Sequence, residues 1–271
     1  MQLYLIITLK IMLEYYILFF MKYIDIPNLP DGDVSLAVVD MRIEPEIAAS
    51  LEQNGIKLIK TCYYPGMYEA VACHPDIMLH HLGGKRIIYA PGTSQHLVDF
   101  LLSYGFTPMS GKTYLSPKYP LNISYNVARV GKFAFHNLKY TDPVLREELD
   151  KQAVEFVHVN QGYTKCSVSI VDKNSIITSD KGIAKIAEKK GVEVLLIDAD
   201  KNIQLKGLDY GFIGGASGLI GKNKWAVAGN FEMLESAYKI YDFLNKRNIE
   251  IVSLSKGKVE DIGSIIPLKI W

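Results

Sequence analysis

The sequence predicts a mixed α/β fold in which five repeated ββαβ units close into a ring, an α/β propeller, and three observations predict it. Four segments repeat one order of elements at a period of about 45 residues. The chain opens on a fifth copy that lacks its first strand. It ends on an apolar strand, DIGSIIPLKIW, with no unit after it.

Each unit reads as an apolar strand, a polar hairpin turn, a second strand, a helix with a polar start and a third strand of Val and Ile. The opening copy is SLAVVDMRIEPEIAASLEQNGIKLIKT. The next four carry the pattern in IIYAPGTSQHLVDFLLSYGF, FAFHNLKYTDPVLREELDKQAVEFVHV, SIITSDKGIAKIAEKKGVEVLLI and WAVAGNFEMLESAYKIYDFLNKRNIEIVSL. Their turns, Gly83-Gly84-Lys85, Gly131-Lys132, Asp172-Lys173-Asn174 and Gly221-Lys222-Asn223, suit tight reversals that need positive φ. Asp142 ahead of Pro143, and Ser179 or Asp180, fit helix N-caps, while Gly105 and Gly191 stand where helices stop. Apolar residues at helical spacing, such as Val144, Leu145 and Leu149 or Ile183, Ile186 and Ala187, mark one buried face and put the helices outside the strands. The C-terminal strand then completes the first unit, and closure removes exposed sheet edges. The competing arrangement, two separate α/β domains, has no Pro, Gly or Ser-rich linker in its favour. A single domain over residues 22–271 is expected.

The 271 residues, 49% of them hydrophobic, suffice for a sizeable core. Thirty Lys and Arg against 29 Asp and Glu leave no broad electrostatic footprint, so no nucleic-acid partner is expected. Cys62, Cys73 and Cys166 are an odd number without CxxC spacing, which argues against a disulfide framework and a thiolate zinc site and for a reducing, cytoplasmic setting. No metal or cofactor is expected. Residues 1–20 are apolar but hold Lys10 and Glu14, lack a basic leader and a small-residue cleavage site, and are followed by Met21. They read as an extension upstream of the functional chain; a membrane contact is expected only if they are retained. The oligomeric state is open.

In a ring, the first strands run near the axis and equivalent positions approach one another. Counting back about eight residues from each turn lands near His74 and Asp76, on Asn122 and Ile123, on Cys166, and on Gly214 and Gly215, with Asp261 and Ser264 on the closing strand. Cys62 and Cys73 read as buried apolar residues, and His80 and His81 as one outward and one packed strand residue. The run GFIGGASGLIGKNK fits neither a P-loop nor a dinucleotide fingerprint; its small residues let a ligand or a strand approach.

On these residues the chain resembles the pentein, or guanidino-group modifying, superfamily over roughly residues 22–271, and is similar to an uncharacterised bacterial family of that fold. CHPDIMLHHLGGKRIIYAP resembles the HxD module, which implies His74 as the acid/base and Asp76 as a guanidinium-binding carboxylate. NQGYTKCSVSI resembles the nucleophile strand and implies Cys166 as the attacking thiol, about two repeats on. EDIGSIIPL resembles the E/D-G-G-D strand, with Asp261 as the acid, Gly263 kept and Ser264 in place of the second carboxylate. The module order is circularly permuted relative to enzymes that end at the cysteine. Gly214 and Gly215 stand where those enzymes carry further carboxylates, and the cysteine strand lacks the usual glycine run and neighbouring histidine, which counts against arginine itself as substrate.

The residue types suit that chemistry. A guanidinium is planar, cationic and rich in N–H donors, so carboxylates in its plane orient it. An ordinary thiol of pKa about 8.5 is only about 3% thiolate at pH 7, so it needs a cationic substrate, Lys165 or protonated His74 beside it. The expected function is a cysteine-dependent hydrolase, deiminase-like or dimethylaminohydrolase-like, or an amidinotransferase, working through a thiouronium on Cys166; Asn122, Gly214, Gly215 and Ser264 join Asp76 as the expected substrate-binding set. The alternative is a non-catalytic propeller that binds a protein or the ribosome, as some members of this fold do.

Overall fold

Short apolar strands alternating with single amphipathic helices produce five small sheets of one pattern in the computed structural model, which describes residues 20–271. In unit two, Leu79–Gly83 pairs antiparallel with Arg86–Tyr89, which pairs parallel with Thr107–Ser110 across the helix Gln95–Ser103. Units three, four and five repeat this with Ala128–Val130, Phe133–His136 and Glu155–His158; with Val168–Asp172, Ser175–Thr178 and Glu193–Leu196; and with Ser217–Gly221, Lys224–Val227 and Glu250–Ser253. A parallel pair needs a crossover, and in each unit a nine-residue helix supplies it.

Unit one takes its first strand from the other end of the chain. Ile266–Ile270 pairs antiparallel with Val34–Val39, which runs parallel to Lys57–Lys60, and Lys22–Tyr23 covers the outer edge of Ile266–Ile270. The tail strand thus lies where the opening unit lacks one. The apolar extension expected over residues 1–20 lies outside the described residues except for Phe20. No helix among the described residues is long and apolar enough to cross a membrane.

The core is divided among the seams between units. Leu36, Val38 and Leu268 of unit one pack with Ile87 and Leu97 of unit two; Ile88 of unit two packs with Ala134 and Leu145 of unit three. Phe135 meets Ile176 between units three and four, and Ile177 meets Trp225 between four and five. Ala226 and Ile220 of unit five then pack on Val34 and Ala37 of unit one. Each of the five clusters joins one unit to the next, and the last returns to the first.

Local signals largely act as expected. Asp142 accepts from the Val144 and Leu145 amides, and Asp180 from the Ile183 amide, so each caps its helix. Positive φ is found at Gly84 and Gly131, whereas the unit-four turn uses the Asp172 carboxylate on the Asn174 amide (2.7 Å) instead. His80 and His81 are both buried, which corrects the expectation that one faces outward: a neighbouring unit covers the second face of the strand. Burial pushes their pKa values down to about 3 and about 4.

Candidate active site

Each first strand is entered through a tight turn, and these turns are hydrogen-bonded to one another in sequence around the molecule. The Asp76 amide donates to the Gly263 carbonyl (3.3 Å), and the Ile262 and Ser264 amides donate to the Gly215 carbonyl (3.1 and 2.7 Å). The Gly215 amide donates to the Cys166 carbonyl (2.9 Å) and the Lys165 amide to the Asn126 carbonyl (3.2 Å). The Asn126 side chain donates to the Asp76 carbonyl (3.0 Å), which returns the circuit to unit two. Polar backbone buried at the centre is thereby paired.

Cys166 sits in the one-turn helix Thr164–Ser167 and is buried. Its thiol donates to Asp76 Oδ2 (3.1 Å) and receives the second Asn126 N–H (3.2 Å). Asn126 Oδ1 accepts from the Lys165 and Cys166 amides (2.8 and 3.3 Å), so this one amide side chain fixes the thiol, its backbone and Asp76 together. The Lys165 ammonium, also buried, donates to Ser264 Oγ (2.8 Å) and to the Gly214 carbonyl (3.4 Å). Ser264 Oγ lies 2.8 Å from both Asp76 Oδ2 and the Gly214 carbonyl. A chain therefore runs from ammonium through hydroxyl and carboxylate to thiol.

His74 stands at the N-cap position of the short helix Pro75–Met78, with Nε2 3.8 Å from Asp40 Oδ2 and Nδ1 3.8 Å from Asp261 Oδ1. Asp40 is itself gripped by Arg42 through Nε (3.0 Å) and Nη2 (2.7 Å). Asp261 accepts from the Phe212 and Gly263 amides (2.9 and 3.0 Å), leaving its carboxylate fixed beside the imidazole. Burial pushes the Cys166 thiol well above its ordinary range, and the charges of Asp76 and Asp261 add to that. Burial likewise raises Asp261, opposed by His74, and lowers Lys165, opposed by Asp76. Burial and the neighbouring carboxylates thus both favour the neutral thiol over the thiolate.

His74, Cys166 and Asp261 line one cavity of about 240 Å³. Tyr68, Tyr163, Tyr210 and Phe212 form its walls, and Leu205, Leu208 and Asp209 of the segment after the strand Ile203–Gln204 form its rim. That strand pairs parallel with Val259–Glu260, outside the repeat, and so anchors the rim next to Asp261. The imidazole, thiol and Asp76 carboxylate offer donor atoms all within 4.8 Å of one another, a spacing that one small ion could also use.

The expected residues thus separate into two groups. The catalytic set reaches the cavity. Asp76 and Ser264 stand behind the thiol, Gly214 and Gly215 pack against Lys165 and Asp261, and Asn122 donates to Tyr163 Oη (2.8 Å) behind the wall. Asn126, not Asn122, meets Cys166. The first strand of unit three has three residues and no bulge, against five residues and a bulge in units two, four and five, so a fixed count back from the turn overshoots. Asp40 and the aromatic walls were also missed: Asp40 follows the second strand Val34–Val39, outside the counted positions, and Tyr163 and Phe212, equivalent in units four and five, precede the positions that the count reached.

No curated protein matches the chain in sequence. Among solved structures it is similar to the inosamine-phosphate amidinotransferase of Streptomyces griseus (11% identity, 86% of this chain and 91% of that one, TM-score 0.54). An amidinotransferase of the saxitoxin biosynthetic pathway from Microseira wollei gives 12% identity, 85% and 91% coverage and a TM-score of 0.52. Agmatine deiminase of C. jejuni gives 11% identity, 92% and 96% coverage and a TM-score of 0.54. At such identities the likeness concerns the fold alone, and it agrees with the fold that the resemblance in sequence implies. The description "Family of unknown function (DUF6873)" matches residues 38–266, and the chain belongs to that family.

Proposed function

We propose that the protein is a cysteine-dependent enzyme acting on a guanidine or amidine-like small molecule, as a hydrolase or an amidinotransferase. The units are read as the five blades of one propeller domain over residues 22–271, a reading supported by the returning circuit of hydrogen bonds and seams. The observation that carries the function is the meeting of Cys166, His74 and Asp261 in one cavity. The amidinotransferase and deiminase folds among its structural neighbours agree with this class.

A cationic guanidinium entering beside Asp261 offsets the negative surroundings that hold the thiol neutral, so binding itself favours the thiolate. The thiol proton passes to Asp76 Oδ2, the acceptor already in place. Sγ attacks the central carbon and a C–S bond forms; the C–N bond to the departing amine breaks as protonated His74 gives that nitrogen its proton. The product is a thiouronium on Cys166. Water, or an acceptor amine, then gives a proton to His74 and adds to the same carbon; the C–S bond breaks and the sulfur leaves with the bonding pair. The Asp76 proton returns to it. The final product is a new guanidinium or amidinium from an amine or, once the added hydroxyl loses its proton to solvent, a urea or amide from water.

The test is intact mass after incubation with a 2-haloacetamidine, in which Sγ displaces halide. One adduct is expected on the wild type, none on Cys166→Ala and slower labelling on His74→Ala. Equal labelling of all three sinks the assignment of the nucleophile.

A further inference from the structure

The walls of the same cavity bear on what the guanidine or amidine is attached to, a point that rests on reading Cys166 as the reacting thiol. We propose that the ligand carries an aromatic or apolar body without a carboxylate, the class of aralkyl guanidines and amidines, and is not an amino acid.

Charge is the first argument. Among the described residues lining the cavity none is Lys or Arg, and the acidic groups are Asp261 at the floor and Asp209 at the rim. Two cations beside the site, Lys165 and Arg42, are already engaged elsewhere. Lys165 turns its ammonium to Ser264 and Gly214 behind the thiol, and Arg42 spends its guanidinium on Asp40 and on the Glu69 and Ala70 carbonyls. Arg42, Lys201 and Lys206 line a neighbouring cleft that shares Leu205, Leu208, Asp209 and Asp261 with the cavity, but none of the three lines the cavity itself. A carboxylate held here would lose water, find no Lys or Arg partner and face Asp209.

Shape and surface are the second. Tyr163 and Phe212 lie with ring centroids 6.4 Å apart, and Tyr210 meets Phe212 edge-on at 5.9 Å, so two linked aromatic contacts run from floor to rim. Such faces attract a cation and pack a planar apolar body. The hydroxyls of Tyr68 and Tyr163 are 2.9 Å apart and Asn122 donates to Tyr163, so the pair uses one phenolic proton internally and keeps one. That proton suits a single neutral acceptor, such as a hydroxyl or ether on the ligand.

The experiment measures the rate of Cys166 modification by a 2-haloacetamidine on the full chain, with benzylguanidine or L-arginine as protectant. Benzylguanidine is expected to halve the rate at a concentration at least tenfold below that for arginine, and arginine methyl ester to fall between them. Asp209→Lys, an exposed substitution at the rim, is expected to narrow the gap by supplying arginine's carboxylate with a partner. Arginine protecting as well as or better than benzylguanidine, neither protecting, or a gap unmoved by Asp209→Lys overturns the proposal while the thiol assignment stands. Absence of any adduct on Cys166 removes both.

Discussion

The turns entering units four and five hold the same place in the repeat and opposite contents. Aligned by their hairpin registers, in which Val168 faces Thr178 and Ser217 faces Val227, Lys165-Cys166 in one corresponds to Gly214-Gly215 in the other. A Cβ on Gly214 would run into the backbone of Val168 and Lys165, and one on Gly215 into the carboxylate of Asp261. Gly215 therefore leaves room for the carboxylate of a neighbouring turn, and Gly214 for the backbone around Cys166. A repeated frame supplies equivalent places, and chemistry arises by filling some and emptying others.

The comparison breaks most severely at Lys165. Lys165→Met keeps the volume but removes the buried cation that Ser264 and Asp76 are built around, and breaking such an arrangement is expected to cost about 3–5 kcal/mol. Denaturant unfolding measures it, and Cys166 labelling should slow alongside; unchanged stability would mean the ammonium is not balancing Asp76. Asn126→Ala should follow at about 2 kcal/mol, since it strips partners from the Cys166 and Lys165 amides. Gly215→Ala tests the emptied side: overpacking against Asp261 is expected to cost about 1–3 kcal/mol and to shift Asp261 from His74. If it unfolds like the parent and labels equally fast, the glycine is not needed for space.

The same repeat explains what could be read before any coordinates. Period, strand and helix order, and the complementary deficits at the two ends were legible because they depend on local alternation and turn chemistry, which a single sequence carries. His74, Cys166 and Asp261 were legible for a related reason: once the ring is assumed, register alone brings them together. Asn126 was lost because unit three shortens its first strand, a change no fixed count anticipates. Asp76 and Ser264 were found but placed on the ligand's side of the thiol, since which side of Cys166 they occupy depends on packing among three separate turns. Of the aromatic walls, Tyr163 and Phe212 hold equivalent places in units four and five under that same alignment and went unread because the count back from the turns stopped short of them, whereas Tyr68 lies outside that register.

The smallest expected effect concerns helix starts at equivalent places in units two and four. Ser94 and Asp180 both stand at the N-cap, and both residue types are favoured there. Only Asp180 makes the bond, to the Ile183 amide at 2.8 Å; Ser94 makes no side-chain cap. Asp180→Ala should therefore lower stability by about 1 kcal/mol, read from the shift in denaturant midpoint at constant slope. Ser94→Ala should stay within about 0.5 kcal/mol of the parent. Equal losses would mean that both residues cap in solution and that units two and four begin their helices alike; the expected inequality would instead show that the repeat preserves the place of a cap without preserving its bond.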